Sequence, residues 1–135
     1  MDYGCGSGIL AIAALKLGAK QAVGIDNDPQ AIIASKNNSD KNKISRDQFK
    51  VYLPHEQQND LTADVLVANI LAKPLMTLAP NICNSIKING KFALSGILRE
   101  QADEVANVYS AYCNIDKIIH RDDWVLISGT KKSKN

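Results

Sequence analysis

Cysteine is scarce in this sequence: three residues in 135, with no C-x-x-C pair among them, and only two histidines accompany them. That set supports neither a disulfide framework nor a cluster at metal-ligand spacing, so no metal is expected. Cys5, Cys83 and Cys113 read as reduced thiols in a reducing compartment. No apolar run reaches the roughly 18 residues that a membrane span needs. The N-terminus has no basic segment followed by an apolar stretch and a cleavage site. A cytoplasmic protein without a membrane partner is the expectation. A dominant charge is missing too, because 16 basic against 14 acidic residues leave a net +2, which does not call for nucleic acid. Aromatics make up 5%, and Trp124 and the tyrosines are too scattered to form a base-stacking platform. Lys131, Lys132 and Lys134 read as a solvated basic end.

Apolar material is plentiful, at 45% hydrophobic residues, which excludes disorder as the main state. A chain of 135 residues is too short for two independent cores, so one domain over 1–135 is expected. A monomer is the expected state.

Short β-like runs alternate with helical stretches. A stub of strand, Met1 to Tyr3, ends in the loop Gly4-Cys5-Gly6-Ser7-Gly8. Ile9 to Leu17 follows as a helix apolar nearly all round, which predicts burial against a sheet, with Gly18 placed to close it. Gln21 to Asp26 reads as a second strand. Asp28-Pro29 reads as an N-cap and first-turn proline opening a helix to about Asn38. Phe49 to Leu53 is a third strand, Pro54 to Thr62 a loop, and Ala63 to Asn69 a fourth strand with Val65 to Ala68 buried on both faces. Helix from about Pro74 to Ser85, a turn at Asn89-Gly90, strand from Lys91 to Ser95 and helix from about Glu100 to Tyr112 come next. Ile115 to Arg121 and Trp124 to Thr130 have no helix between them and should pair as an antiparallel hairpin across Asp122-Asp123. The fold class is α/β: a doubly wound, mostly parallel sheet whose first strand is cut short. Ligands of such sheets sit at the carboxyl ends of the strands, which directs attention to Gly4–Gly8, Asp26–Asp28, Asn69–Ala72 and Ser95–Leu98.

In the glycine loop the backbone can turn tightly and approach a ligand closely. A G-x-G-x-G run also occurs in purely structural turns; its place between a strand and a helix makes Gly4, Gly6 and Gly8 candidates for cofactor binding. Asp26 ends the second strand, where a carboxylate can accept both hydroxyl protons of a ribose, although it could equally begin a turn. A dinucleotide site uses the same two features, but its G-x-G-x-x-G pattern would require glycine where this chain has Ile9. Asp2 lies directly before the loop, and a carboxylate there would repel a pyrophosphate. S-adenosylmethionine has no phosphate and carries cationic amino and sulfonium groups. Asp2 therefore favours an adenosylmethionine site, with Asp2, Gly4, Gly6, Gly8 and Asp26 as its residues. Asn69 opens the corner Asn69-Ile70-Leu71-Ala72-Lys73-Pro74. An amide oxygen at this position can accept a hydrogen bond from a substrate amine and orient its lone pair, which makes Asn69 the candidate catalytic residue; a strand-end cap is the alternative.

The runs from Asp2 to Ala14, Gly24-Ile25-Asp26-Asn27-Asp28-Pro29, Asn69-Ile70-Leu71-Ala72 and Leu94-Ser95-Gly96-Ile97-Leu98 together resemble the ribosomal protein L-eleven methyltransferase family, of PrmA type. The likeness covers essentially the whole chain. It implies a Rossmann-like methyltransferase fold and adenosylmethionine-dependent trimethylation of lysine and N-terminal amines on a large-subunit ribosomal protein, the expected partner. By position, Gly4, Asp26 and Asn69 match the family's donor contacts. The family's N-terminal substrate-recognition domain, its linker and a helix bearing a donor-contacting threonine have no counterpart here, so a catalytic-domain fragment is expected. Alternatives are a non-catalytic remnant of that enzyme, or a methyltransferase acting on RNA or a small molecule. His55 is read as a surface residue, His120 as a residue on a sheet face, Cys5 as a packing residue, and Ser95-Gly96 as a border of the substrate channel.

Overall fold

The computed structural model describes residues 1–133. They fall into two compact units, Met1–Asn59 and a second that begins at Asp60. Among the described residues no helix is long and apolar enough to cross a membrane.

The first unit is parallel. Strands β1 (Asp2–Tyr3), β2 (Ala22–Ile25) and β3 (Phe49–Tyr52) lie in the order β3-β2-β1, with Asp2 beside Gly24 and Ala22 beside Phe49. Parallel neighbours need crossovers, supplied by α1 (Ile9–Lys16) and α2 (Pro29–Lys41). The Asp28 side chain accepts the Gln30 N–H at 2.9 Å with Pro29 in the first turn, as the sequence predicts. α2 runs to Lys41 rather than Asn38, and Lys43, at φ 59°, turns the chain away.

The predicted burial of α1 against the sheet holds along one stripe only. Ala11 and Ile12 enter a cluster with Ala22, Ile44 and Phe49, whereas Ile9 is 69% and Leu17 88% exposed. Within this unit an eight-residue helix meets the three strands along one stripe, so its remaining apolar side chains face outward.

In the second unit β4 (Ala63–Asn69) pairs in parallel with β5 (Ile86–Leu98). β5 pairs antiparallel with β7 (Trp124–Lys131), and β7 antiparallel with β6 (Cys113–Arg121), giving the order β4-β5-β7-β6. The predicted C-terminal hairpin is therefore present, turning at Asp122 with φ 55°. The single helix expected over 74–85 is two, α3 (Ala72–Thr77) and α4 (Ala79–Asn84), parted at Leu78. Pro80 explains the break, because it has no N–H for the carbonyl four residues back. β5 begins five residues before the expected Lys91: Ala63 pairs with Ile86 and Val65 with Lys91, so Asn89-Gly90 is an excursion within the strand. In β4, Leu66 and Ala68 are buried as expected, but Val65 is 54% exposed. It alternates to the other face, where its β5 neighbour is Lys91.

The helix α5 (Ala102–Ser110) buries Val105 and Tyr109 completely. Nearby, the sulfurs of Cys83 and Cys113 lie 3.8 Å apart, both free and buried. The neighbouring sulfur, then burial, push the Cys83 thiol well up. The basic end is not simply solvated. The Lys131 ammonium donates to the Cys83 carbonyl, and Lys132 donates to Ser110 O at 2.7 Å; Lys134 lies outside the described residues. His55 is exposed, as predicted, and so is His120 within β6.

The Tyr109 hydroxyl donates to Leu75 O at 2.8 Å in this core, pinning α5 to α3. Tyr109→Phe is expected to cost about 1–2 kcal/mol, read by urea unfolding, because the buried Leu75 carbonyl loses its donor. An unchanged midpoint would show that this bond does not hold the helices together.

Candidate functional site

The glycine loop of the first unit is a wound segment of backbone held from several sides. Gly4 and Cys5 donate to the Ile25 carbonyl at 2.6 and 3.0 Å, and Gly8 donates to Cys5 O at 2.8 Å. Gly4, Gly6 and Gly8 have φ values of 80°, 55° and 82°, the left-handed region that side chains rarely adopt. At Gly8 a Cβ would also lie 3.0 Å from both the Phe49 ring and Ser35 Oγ, whereas at Gly6 it would meet nothing within 4 Å. Gly8 thus serves packing, and Gly6 leaves open space beside the backbone.

Asp26 ties the loop to the next turn. Its Oδ2 accepts from Gly6 N–H at 2.9 Å and its Oδ1 from Asp28 N–H at 3.0 Å. A carboxylate has about four acceptor positions, so after these two bonds both oxygens keep capacity for further donors. The turn-forming role and a ligand role are compatible in one side chain.

Asp2 is buried, 3% exposed, and its Oδ2 has no hydrogen-bond partner. Burial is the main reason that its pKa rises to about 6; the chain's N-terminal charge and a hydrogen bond from the Ala11 backbone oppose the rise, and Asp26 adds to it. Ala11 lies in the first turn of α1, whose Gly8 N-cap offers no side chain. The Asp2 carboxylate therefore caps that helix end and favours its dipole, and it occupies the place a phosphate would take.

Cys5 packs against the position of Gly24, where a Cβ would come within 2.9 Å of its sulfur, and lies 3.7 Å from Ser35 Oγ. Burial pushes its thiol up to about 11, so it is a neutral packing group. Sequence reading missed the two α2 side chains that grip the loop. Ser35 Oγ donates to Gly6 O at 2.8 Å and Asn38 Nδ2 to Ser7 O at 2.9 Å. Their three-residue spacing, one helical face, was the available signal.

In the second unit Asn69 ends β4, exposed and beside Ser95 of β5. Asn69, Ile70, Leu71, Ser95, Gly96 and Trp124 line a mostly apolar pocket of about 350 Å³. The register of β5 against β7 shifts between Leu94 and Ile97, and Gly96 sits in that bulge at φ 83°. A Cβ on Gly96 would overlap the Ile70 carbonyl and lie 3.2 Å from Asn69 Oδ1. The bulge thus lets β5 abut the Asn69–Ile70 corner. The predicted border at Ser95-Gly96 lines the same pocket as Asn69. Trp124, set aside in the sequence reading, joins them because the hairpin brings the first residue of β7 beside Leu98.

Comparison with known proteins assigns this arrangement to a class. A solved ribosomal protein L11 methylase from Lactobacillus delbrueckii subsp. bulgaricus superposes with a TM-score of 0.81 at 31% identity, over 98% of this chain and 69% of that one. An RNA methyltransferase from Salinibacter ruber, in complex with S-adenosyl-L-homocysteine, shares the fold at 15% identity and a TM-score of 0.74, over 99% of this chain and 80% of that one. The chain has the α/β Rossmann-like methyltransferase fold, mostly parallel with antiparallel C-terminal strands, as its sequence predicts. The family model for ribosomal protein L11 methyltransferase (PrmA) matches residues 1–132. Ribosomal protein L11 methyltransferases of Shewanella sp. (strain ANA-3) and Actinobacillus pleuropneumoniae serotype 3 are 55% and 54% identical to it, each over 98% of this chain and 45% of the relative. The chain belongs to this family, and it spans about half the length of the curated relatives it matches.

The raised pKa of Asp2 has a sign that can be checked. The folded protein holds this proton more tightly than the unfolded chain, whose value is the ordinary 3.8. The resulting stabilisation is complete below pH 3.8 and is lost as pH rises through about 6. Asp2→Asn, which cannot ionise, is expected to be more stable than the parent at pH 7.5 by on the order of 2 kcal/mol, with the gain shrinking towards pH 3.5. A difference independent of pH in urea unfolding would contradict the burial of this carboxylate.

Proposed function

We propose that this chain binds S-adenosylmethionine through its glycine loop and acts as a protein methyltransferase on lysine and N-terminal amines of ribosomal protein L11. The observation that carries the donor reading is the half-satisfied Asp2 carboxylate at the start of α1. A buried acceptor with no partner fits a cationic group, and adenosylmethionine presents an amino group of that charge without a phosphate. Asp2 would hold the donor's cationic end, Gly4, Gly6 and Gly8 would let the backbone lie against it, and Asp26 would accept the ribose hydroxyls with the capacity its two backbone bonds leave. When bound, adenosylmethionine supplies a methyl group on a sulfonium, already activated towards a nucleophile.

The residues then have little bond-breaking to assist. Asn69 Oδ1 accepts an N–H of the substrate amine and so aims the nitrogen lone pair; most of the rate comes from this positioning. The amine must be neutral to attack, and the apolar lining around Asn69 disfavours its charged form. Among the described residues none that lines the pocket is an acid or a base, so the proton leaves with solvent. The family and the names of relatives twice this chain's span support a ribosomal-protein substrate, and L11 is the partner to test. A cytoplasmic location goes with such a substrate.

Thermal unfolding with and without adenosylmethionine, with NAD as control, tests the donor site. At 100 times its dissociation constant the donor should add about 2.7 kcal/mol, a shift of several degrees. NAD should add nothing, and Asp26→Asn should weaken the response. Indifference to adenosylmethionine in a cooperatively unfolding chain would overturn the reading and leave a folded, non-catalytic remnant. Asn69→Ala is expected to keep the donor-induced shift while methyl transfer to L11 falls about 100-fold in kcat; unchanged transfer would remove Asn69 from the mechanism.

A further inference from the structure

Two nucleophilic side chains lie outside everything that methyl transfer uses. Cys83 is near the end of α4 and Cys113 is the first residue of β6. They are 30 residues apart in sequence, yet their sulfurs meet at 3.8 Å in the interior of the second unit. Both are free and buried. Cys5, by contrast, has a hydroxyl for its neighbour, Ser35 Oγ at 3.7 Å.

The surroundings treat the two thiols of the pair differently. The Lys131 ammonium donates to the Cys83 carbonyl, and Lys131 is the β7 neighbour of Cys113. Contact with the Cys83 sulfur, with the Lys131 and Lys132 charges adding to it, holds the Cys113 thiol below its ordinary value against the effect of burial. The Cys83 thiol is pushed the other way. Cys113 is thus the readier thiolate, the nucleophilic form, and Cys83 stands in contact with it as a resolving thiol. Disulfide sulfurs lie about 2 Å apart, so each of these has roughly 1 Å to move. The pair also sits where a strand ladder ends, since Cys113 opens β6 and Lys131 closes β7. Ends of ladders open more readily than their middles, which gives a small oxidant a way in.

We propose that Cys83 and Cys113 are an oxidation site that a hydroperoxide converts into a reversible intrachain disulfide. The Cys113 thiolate attacks one oxygen of hydrogen peroxide, and the O–O bond breaks. The departing hydroxide takes up the proton that the thiol gave up and leaves as water, while Cys113 becomes a sulfenic acid. The Cys83 sulfur then attacks the sulfenic sulfur, the S–O bond breaks, and the Cys83 proton leaves with that hydroxide as a second water. Two thiols are oxidised and one peroxide is reduced, giving one disulfide and two waters. Capture by Cys83 keeps Cys113 from the irreversible sulfinic stage, and cellular thiols restore the pair by exchange. The bond ties α4 to the start of β6. That is the end of the β6–β7 hairpin away from Trp124, which lines the pocket, so the second unit is stapled without a change at the pocket. The inference does not depend on the methyltransferase reading.

The test is to treat the intact, native chain with graded doses of hydrogen peroxide, quench with catalase and alkylate in urea. Mass spectrometry should find a product lighter by two hydrogens that takes up one alkyl group, at Cys5, in place of three. Its digest should contain a Cys83–Cys113 cross-linked peptide, and dithiothreitol should restore all three thiols. The cross-link should form at least about tenfold faster than Cys5 is oxidised, because burial pushes the Cys5 thiol up. The thermal midpoint of the cross-linked chain should rise by several degrees. Three alkylatable cysteines at every dose would overturn the inference. So would Cys83 or Cys113 carried to sulfinic acid without a cross-link, or a cross-link formed only after unfolding in urea. These outcomes are read on the parent chain and stand whether or not any variant folds. Dimedone should trap a sulfenic acid at Cys113 in Cys83→Ala and none at Cys83 in Cys113→Ala; the reverse pattern would overturn the order of attack.

Discussion

The carboxylate of Asp26 is the hinge of the first unit. Through Gly6 N–H it fixes a loop that has no side chains to fix itself, and through Asp28 N–H it fixes the residue that caps α2. α2 in turn carries Ser35 and Asn38, which hold the outer carbonyls of the same loop. The circuit is closed: remove the carboxylate and both the loop and the start of the helix that grips it lose an anchor. Three glycines at positive φ are conformationally costly to order, and this circuit is what offsets that cost. A ligand meeting the loop finds its backbone already placed, so less ordering is left to be done on binding.

The same economy explains the charge arrangement. α1 has Gly8 as its N-cap and therefore no side-chain cap of its own, and the carboxylate of Asp2 fills that place from β1. In doing so it makes the helix end unsuitable for phosphate while keeping one oxygen unsatisfied in a buried setting. The structural and the recognition arguments point the same way. The acid that neutralises the helix dipole is, in the proposed donor site, the one that would meet a cation, and with Ile9 it sets this loop apart from a dinucleotide loop.

Much of the architecture was legible because its signals are local. Asp28-Pro29 marks a helix start, Asn69 a strand end, and Asp122-Asp123 a hairpin turn, and each is read within a few residues. What escaped depends on partners remote in sequence. Apolar composition over Ile9–Leu17 says that the helix has greasy sides but not how many of them a three-stranded unit can cover. Val65 is apolar within an apolar run, yet its exposure follows from lying beside Lys91. Pro80 was a visible helix breaker that a continuous apolar pattern masked. In the candidate site, the glycines and Asp26 carried their own motif. Ser35, Asn38 and Trp124 did not, because only the folded chain shows what a lone serine, asparagine or tryptophan faces.

Unusual ionisation is not confined to the proposed site. The largest perturbation lies at Cys83 and Cys113, where two sulfurs touch in the interior of the second unit, and it reflects packing near Lys131 rather than methyl transfer. Perturbed groups mark active sites when the reaction moves protons. Methyl transfer from a sulfonium to a neutral amine asks instead for a shaped acceptor, a dry wall and a well-aimed amide. Those are features of geometry: the bulge at Gly96 that brings β5 against Asn69, the apolar corner of Ile70 and Leu71, and the indole of Trp124. At the proposed donor end a shifted group is informative as well, because burial raises the Asp2 carboxyl where a cation would bind.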